Sequence, residues 1–289
     1  MERNSVIITG IVVLYNPEYN LLKKSIDSVY SQLDYLYVID NTKGINHADW
    51  FQNDSKILYT PLSDNLGIAE AQNIALDKCL DKSDFIFFLD QDSITPDFLI
   101  ESLLNKFFQL KKSGVNVGAI GPRPYNRDEG KKYLGSIKKG IPIGNNLSEV
   151  SELINSASLI PVEAFRKAGL MDSTLFIDGV DHEWCWRAKY RGNYRFFIDE
   201  DTLLSHKLGE GDRHFLWKKV AIPTPFRTYY QYRNFFRLLK RGYVPTYWKV
   251  SNAVKYAVKL FYYPLFISPR KEYLRNIFNG IVDGITMSN

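Results

Sequence analysis

"DFIFFLDQDS", residues 84–93, decides how the rest of the chain is read. Five large apolar residues, Phe85 to Leu89, run straight into two carboxylates, Asp90 and Asp92, one residue apart. An apolar run this uniform suits a strand buried on both faces, as in a parallel sheet. Alternate residues of a strand share a face, so the two acids can converge on one point. Like charges that close repel, and a cation between them relieves the repulsion. Hard divalent ions such as Mg2+ or Mn2+ take oxygen ligands of this kind and commonly bridge carboxylate and diphosphate. A bare D-x-D is short, however, and is equally compatible with solvated acids at a strand end.

Outward from that stretch the pattern repeats. "SVIITGIVVLYN" (5–16), "YLYVIDN" (35–41), "SKILYT" (55–60) and "VNVGAIGP" (115–122) read as strands. Between them, "PEYNLLKKSIDSVYSQ" (17–32), "LGIAEAQNIALDKCLD" (66–81) and "PDFLIESLLNKFFQLKK" (96–112) read as helices, the last opening at Pro96. Such alternation predicts a doubly wound α/β layer with a mostly parallel central sheet flanked by helices. Ligands bind such sheets beyond the carboxyl ends of the strands, where Asn16, Asp40, Asn65 and Asp90 fall.

After Pro122 the periodicity fades. Residues 123–150 are rich in Lys, Gly, Asn and Pro and read as a mobile loop or lid. "ELINSASLIP" (152–161) reads as a strand, "VEAFRKAGLM" (162–171) and "GVDHEWCWRAKYRG" (179–192) as helices, and "NYRFFID" and "TLLSH" (193–206) as two strands. "PFRTYYQYRNFFRLLKRG" (225–242) is a basic, aromatic helix, followed by amphipathic segments near 246–263 and 270–284.

The 289 residues, 45% of them hydrophobic, suffice for one large core with an appendage. Two cysteines, Cys79 and Cys185, make no disulfide framework and fit a reducing cytosol. The opening residues show no signal-peptide pattern, and no charge-free apolar stretch is long enough to span a membrane. The net charge of +5 hides an asymmetry: residues 218–289 hold 13 Lys+Arg against 2 Asp+Glu, and 16 of the 42 aromatics. A basic, aromatic tail on an acidic body calls for a negative partner: anionic lipid, nucleic acid or a phosphorylated ligand. The acidic body carries no nucleic-acid-binding motif, so a non-enzymatic polyanion-binding protein is the weaker reading and no nucleic-acid partner is expected. No G-x-G-x-x-G follows the first strand, which argues against a dinucleotide enzyme.

The segments "VVLYNP", "VIDN", "NLGIAEAQN", "FLDQDS", "INSASLI", "DGVDHEWCWR" and "HKLG" come in an order that resembles family 2 glycosyltransferases, most of all the bacterial rhamnosyltransferase branch. The resemblance spans roughly residues 6–240. It implies a GT-A fold, a nucleotide-sugar donor, Mn2+ or Mg2+ and inversion at the anomeric carbon. It places Tyr15 and Asn16 at base and ribose, Asp40 at the pyrimidine with Asn41 beside it, and Asn65, Gly67 and Asn73 against the nucleotide. Asp90 would lie near ribose and metal, Asp92 and His206 would ligate the metal, Asp181 would be the catalytic base, and Arg233 with Asn234 would hold phosphate oxygens. The donor expected first is dTDP-rhamnose, with UDP-hexose or UDP-galactofuranose as the alternative. The acceptor is expected to be a glycan or a lipid-linked glycan of a bacterial surface polysaccharide.

From the residues alone several of these positions have plainer readings. Asp181 could merely cap its helix, with Glu183 and Asp178 as rival acids. His206 could be structural, Asn41 a turn residue, and Trp184 and Trp186 core or acceptor wall. His47, His182 and His214 gain no role from spacing, and Lys138 and Lys139 read as solvated. The expected organisation is a catalytic domain over 1–220, with a donor half to about 122 and an acceptor half over about 150–220. A helical extension over 221–289 follows. There Lys249, Lys255 and Lys259 interleave with Trp, Val, Leu and Tyr. This suits either a helix at the cytoplasmic membrane surface, or a packing appendage or homodimer interface.

Overall fold

The structure, a computed structural model, describes residues 6–52, 54–126, 131–132, 140–205, 212–215 and 218–287. In chain order the elements begin with β1 (Ile8–Leu14), α1 (Tyr19–Tyr30), β2 (Tyr35–Asp40), β3 (Ile57–Pro61), α2 (Ile68–Cys79), β4 (Phe85–Asp90) and α3 (Leu99–Lys112). Then come β5 (Val117–Asn126), β6 (Lys131–Lys132), β7 (Ile141–Gly144), β8 (Leu147–Val150), β9 (Leu159–Pro161), α4 (Val162–Ala168), α5 (Val180–Gly192) and β10 (Arg195–Ser205). The chain continues through β11 (Asp212–Phe215), β12 (Lys218–Ala221), α6 (Pro225–Leu239), α7 (Thr246–Phe266) and α8 (Arg270–Thr286).

One large sheet runs β3-β2-β1-β4-β9-β5-β10-β8-β7, with β6 beside β5. β1, β2, β3 and β4 pair in parallel, as does β5 with β10. β9 enters antiparallel between β4 and β5, and β8 and β7 extend the far edge antiparallel. The expected α/β sheet flanked by helices is therefore present, purely parallel through its first four strands and mixed beyond them. The strands of the first half read as unbroken apolar runs because both faces are covered. In β4, Phe85, Phe87 and Leu89 join the core beneath α1 and α3, while Ile86 and Phe88 join the core beneath α2, α4 and α5.

Four expectations about elements are corrected. The described parts of 123–150 are not a loop: β5 runs on to Asn126, and β7 and β8 form a hairpin whose Leu147 and Val150 are buried. Its two-residue turn, Asn145-Asn146, has both φ values positive, near 51° and 53°, the geometry that Asn tolerates in a tight hairpin. Residues 152–161 are extended only at β9; the chain turns at Ala157, φ 58°, and Ser158 N donates to Asn155 O, freeing 151–156 to leave the sheet. The two expected strands at 193–206 are one, β10, irregular between Asp199 and Leu203. α3 begins at Leu99 rather than Pro96, after Phe98 at φ 59°.

The C-terminal helices pack on one another and on the body. α8 crosses α6 closely because Gly280 and Gly284 face it. A Cβ on Gly280 would lie 2.5 Å from Tyr229 O, and one on Gly284 2.6 Å from Arg233 O. Among the described residues no helix is long and apolar enough to cross a membrane.

Candidate active site

A cleft of about 650 Å³ opens at the carboxyl edge of the sheet. β4 contributes Asp90 to its lining, β5 contributes Arg123, the 151–156 segment contributes its length, α5 contributes Asp181 and His182, and α6 contributes Arg227. The face that Asp90 shares with Ile86 and Phe88 is the α5 side of the sheet, which is why a β4 acid lines the same cleft as Asp181.

Three carboxylates compete at the start of α5, and the structure separates them. Glu183 is fully buried, paired with Arg187 and Arg241 and accepting from the Tyr243 hydroxyl. Asp178 accepts from Nε and Nη2 of Arg227 at 2.8–3.0 Å. Asp181 faces the cleft, and among the described residues it makes no ion pair; its Oδ1 accepts from His182 N at 2.9 Å. The N-cap of α5 is Gly179 at φ 88°, so Asp181 is a first-turn residue and not the cap.

The segment before α5 is fixed from below by α6. Asn234 Nδ2 donates to the carbonyls of Leu175, Ile177 and Asp178 at 2.7–2.9 Å, and Arg233 Nη2 to those of Thr174 and Leu175 at 2.6 and 2.9 Å. Arg233 is buried, with its guanidinium 4.6 Å from the Tyr230 ring centroid. The expected phosphate-holding pair is thus engaged with backbone, and the cation that lines the cleft from this helix is Arg227.

Several other expected residues interlock the sheet edge. In the D-Q-D stretch, Gln91 ties β4 to β1: its Oε1 accepts from Tyr15 N at 2.8 Å and its Nε2 donates to Tyr15 O at 3.1 Å. Asn16, at φ 47°, donates its N–H to Thr42 Oγ1. Asn41 and Asn65 clamp the start of α2: Asn41 Nδ2 donates to Asn65 Oδ1 at 2.9 Å, and Leu66 N donates to Asn41 Oδ1 at 2.7 Å. Gly67 serves a close contact with protein, not open space; a Cβ there would lie 2.7 Å from Phe176 O. Asn73 grips the backbone of Met171 through both amide atoms at 2.9 Å.

Asp40 shares a face with Leu36 and Val38, opposite to the cleft side. It is fully buried and accepts from Tyr59 and His47 at 2.6 Å and from Thr42 N at 3.1 Å. Burial alone would raise its carboxyl, but these hydrogen bonds outweigh burial and hold it below the usual carboxylate range. Asp92 is exposed just past the end of β4. His206 lies outside the described residues, and among those described no three His, Cys, Asp or Glu side chains form a metal-binding group.

Residues 9–169 match the sequence pattern of Glycosyl transferase family 2. Over 96% of its length the chain is 31% identical to the dTDP-rhamnosyl transferase RfbF of Shigella flexneri, of which it covers 95%. The chain belongs to glycosyl transferase family 2. It is a glycosyltransferase, and the solved structures it resembles share its GT-A fold. Against GalNAc-T7 with UDP, GalNAc and Mn2+ the TM-score is 0.56 at 12% identity, over 91% of this chain and 58% of that one. Against TarS 1–349 of S. aureus it is 0.51 at 13% identity, over 97% and 81%.

In this family 2 enzyme the expected residues that line the cleft are Asp90 and Asp181. Sequence reading missed Arg227 and Glu152. Glu152 lines the cleft while accepting from Trp186 Nε1 at 3.2 Å and Tyr247 Oη at 2.5 Å. Arg227 sits in the first turn of α6, where a capping Thr224 and Pro225 announce the helix, but nothing in the sequence says that this turn abuts Asp178.

Proposed function

We propose that the enzyme transfers L-rhamnose from dTDP-rhamnose to a hydroxyl of a glycan or lipid-linked glycan, with inversion, as a cytoplasmic step in bacterial surface polysaccharide synthesis. The rhamnosyl donor is supported by the identity with the Shigella flexneri enzyme. In this reading residues to about 122 serve the donor and about 150–220 the acceptor, with the helices after 220 as an extension.

The observation that carries the mechanism is the isolation of Asp181. Of the three acids at the start of α5, Glu183 and Asp178 are committed to arginines, and Asp181 faces the cleft. A carboxylate that faces the cleft can take the proton of an attacking hydroxyl, a role worth about 10²–10⁴-fold in rate. Attack by the acceptor opposite the leaving group, with no enzyme nucleophile, inverts the anomeric carbon. Arg227, at the cleft wall, lies close enough to offer positive charge to phosphate oxygens if Asp178 yields part of its fork.

Asp90 and Asp92 offer hard oxygen donors at the strand end, which suits Mn2+ or Mg2+ holding further water and phosphate ligands. When bound, such an ion would neutralise charge on the departing diphosphate. The test is a panel of dTDP and UDP sugars, with and without Mn2+ and Mg2+, on the native chain and on Asp181→Asn. The expected result is turnover with dTDP-rhamnose that falls about 10²–10⁴-fold in Asp181→Asn while donor affinity holds. Wild-type turnover in that variant would remove Asp181 as the base.

A further inference from the structure

α7 has two faces of opposite character. Tyr256 and Tyr263 turn toward α6 and α8, and Lys249 donates to the carbonyls of Leu239 and Arg241 at the end of α6. On the far side Val250, Val254, Val258, Phe261 and Leu265 recur at helical spacing, and each is more than half exposed. α8 repeats the arrangement with Leu274, Phe278, Val282 and Ile285 exposed at the same spacing. Singly exposed apolar residues need no explanation, but two helices each baring a whole stripe do.

The charges beside the stripes are of one sign. Lys255 flanks the α7 stripe, Lys271 and Arg275 share the face of Leu274 and Phe278, and Arg270 stands at the start of α8. Glu272, the one exposed acid on the two helices, falls off that face. A second copy docking through the same surface would set these cations against their own kind. An anionic bilayer would take the apolar stripes into its interface and pair the cations with its headgroups.

We propose that the exposed faces of α7 and α8 dock on an anionic membrane surface. Tyr247, in the first turn of α7, bonds to Glu152 at the cleft, and the exposed stripe begins at Val250, about one turn or ~5 Å further along. Docking therefore brings the cleft mouth to the bilayer, where a lipid-linked acceptor presents its hydroxyl. The acceptor half of this inference rests on the transferase reading; the docking half does not.

Flotation of the full chain with phosphatidylcholine vesicles, with and without phosphatidylglycerol, tests it. The chain should float with the anionic vesicles, and high salt should release it. Phe261→Asp and Phe278→Asp should each weaken partitioning at least about tenfold without shifting the melting midpoint, and Lys271→Glu with Arg275→Glu should flatten the salt dependence. Val258→Ser, a milder change, guards against misfolding and should weaken binding less. A wild-type chain that stays behind with both lipids overturns the proposal, as does binding indifferent to the two Asp variants. A dimer in sedimentation that Phe261→Asp dissociates, without vesicle binding, gives the face to a second copy instead. Thermal stabilisation by dTDP-rhamnose, measured on the same variants, should be unchanged; its absence from the native chain with vesicle binding intact would sink the dTDP-rhamnose reading and leave the docking.

Discussion

In the α/β body, β4 sends every one of its phenylalanines inward, to one core or the other, and its acid to the cleft. In the C-terminal helices the order is reversed: α6 buries Arg233, Asn234 and Arg237, while α7 and α8 leave Val254, Phe261 and Phe278 in solvent. A sheet with helices on both faces has two apolar interiors to fill. α6 instead lies against backbone carbonyls of the 174–178 segment, and carbonyls removed from water need donors. The face that α6 turns to this segment is therefore polar because of what it holds, and it holds the segment that sets Asp181, while the contacts of α6 with α7 and α8 are built on an apolar cluster.

The largest effect that would break this contrast is on the inner face. Arg233→Ala removes the charged donor from the Thr174 carbonyl and one of the donors from that of Leu175, and should cost about 3 kcal/mol in urea unfolding. If the pair positions the acid, the residual folded enzyme should lose turnover more than donor affinity, and Asn234→Ala should do the same. Unchanged turnover at full folding would make α6 a passive appendage.

Next in size is a buried polar knot inside the body, which shows that the body too can bury charge where hydrogen bonds satisfy it. Asp40→Asn should cost about 2 kcal/mol at neutral pH, since Tyr59 and His47 lose a charged acceptor. The carboxyl sits lower in the folded chain than in the unfolded one, where it is near about 3.9. Its contribution is thus fully present above the unfolded value and disappears as pH falls through the folded one. Unfolding free energies of the two proteins, measured from pH 7 downward, should converge on the acid side; a constant gap would mean that Asp40 stabilises by packing alone.

These two regions also differ in how much the sequence discloses. The run before Asp90 is legible because a strand covered on both faces leaves no polar position, and the helices that flank it carry plain 3.6-residue periodicity. The β7–β8 hairpin was hidden because a two-residue Asn-Asn turn and four-residue strands look like a polar loop. At the site, Asp90 and Asp181 could be found because each stands at the end or start of an element. Arg227 could not, because its pairing with Asp178 is a contact between segments 49 residues apart. Gln91, Asn73 and Gly67 carry motif positions, yet their side chains or lack of one serve backbone clamps and a close contact with Phe176. Motif order alone does not separate residues that hold the edge from residues that would meet a ligand there.

The smallest expected effect is the one that most sharpens the contrast. On the outer face, Phe278→Ser removes an exposed ring that is about two-thirds accessible, so the folded state loses little buried area. Surface substitutions of this kind stay within about ±0.5 kcal/mol. On the inner face of the same helix, Ile277→Ser removes a fully buried side chain and puts a hydroxyl in its place, and should cost about 2–4 kcal/mol. Paired urea titrations of two neighbouring positions on α8 thus read out the two faces directly. Equal costs at 277 and 278 would mean that the outer stripe is covered in solution, by another copy or by part of the chain itself, and that its apolar character is ordinary core. A flat response at 278 beside a steep one at 277 leaves a face whose apolar residues do nothing for folding, which is what a surface kept for a partner requires.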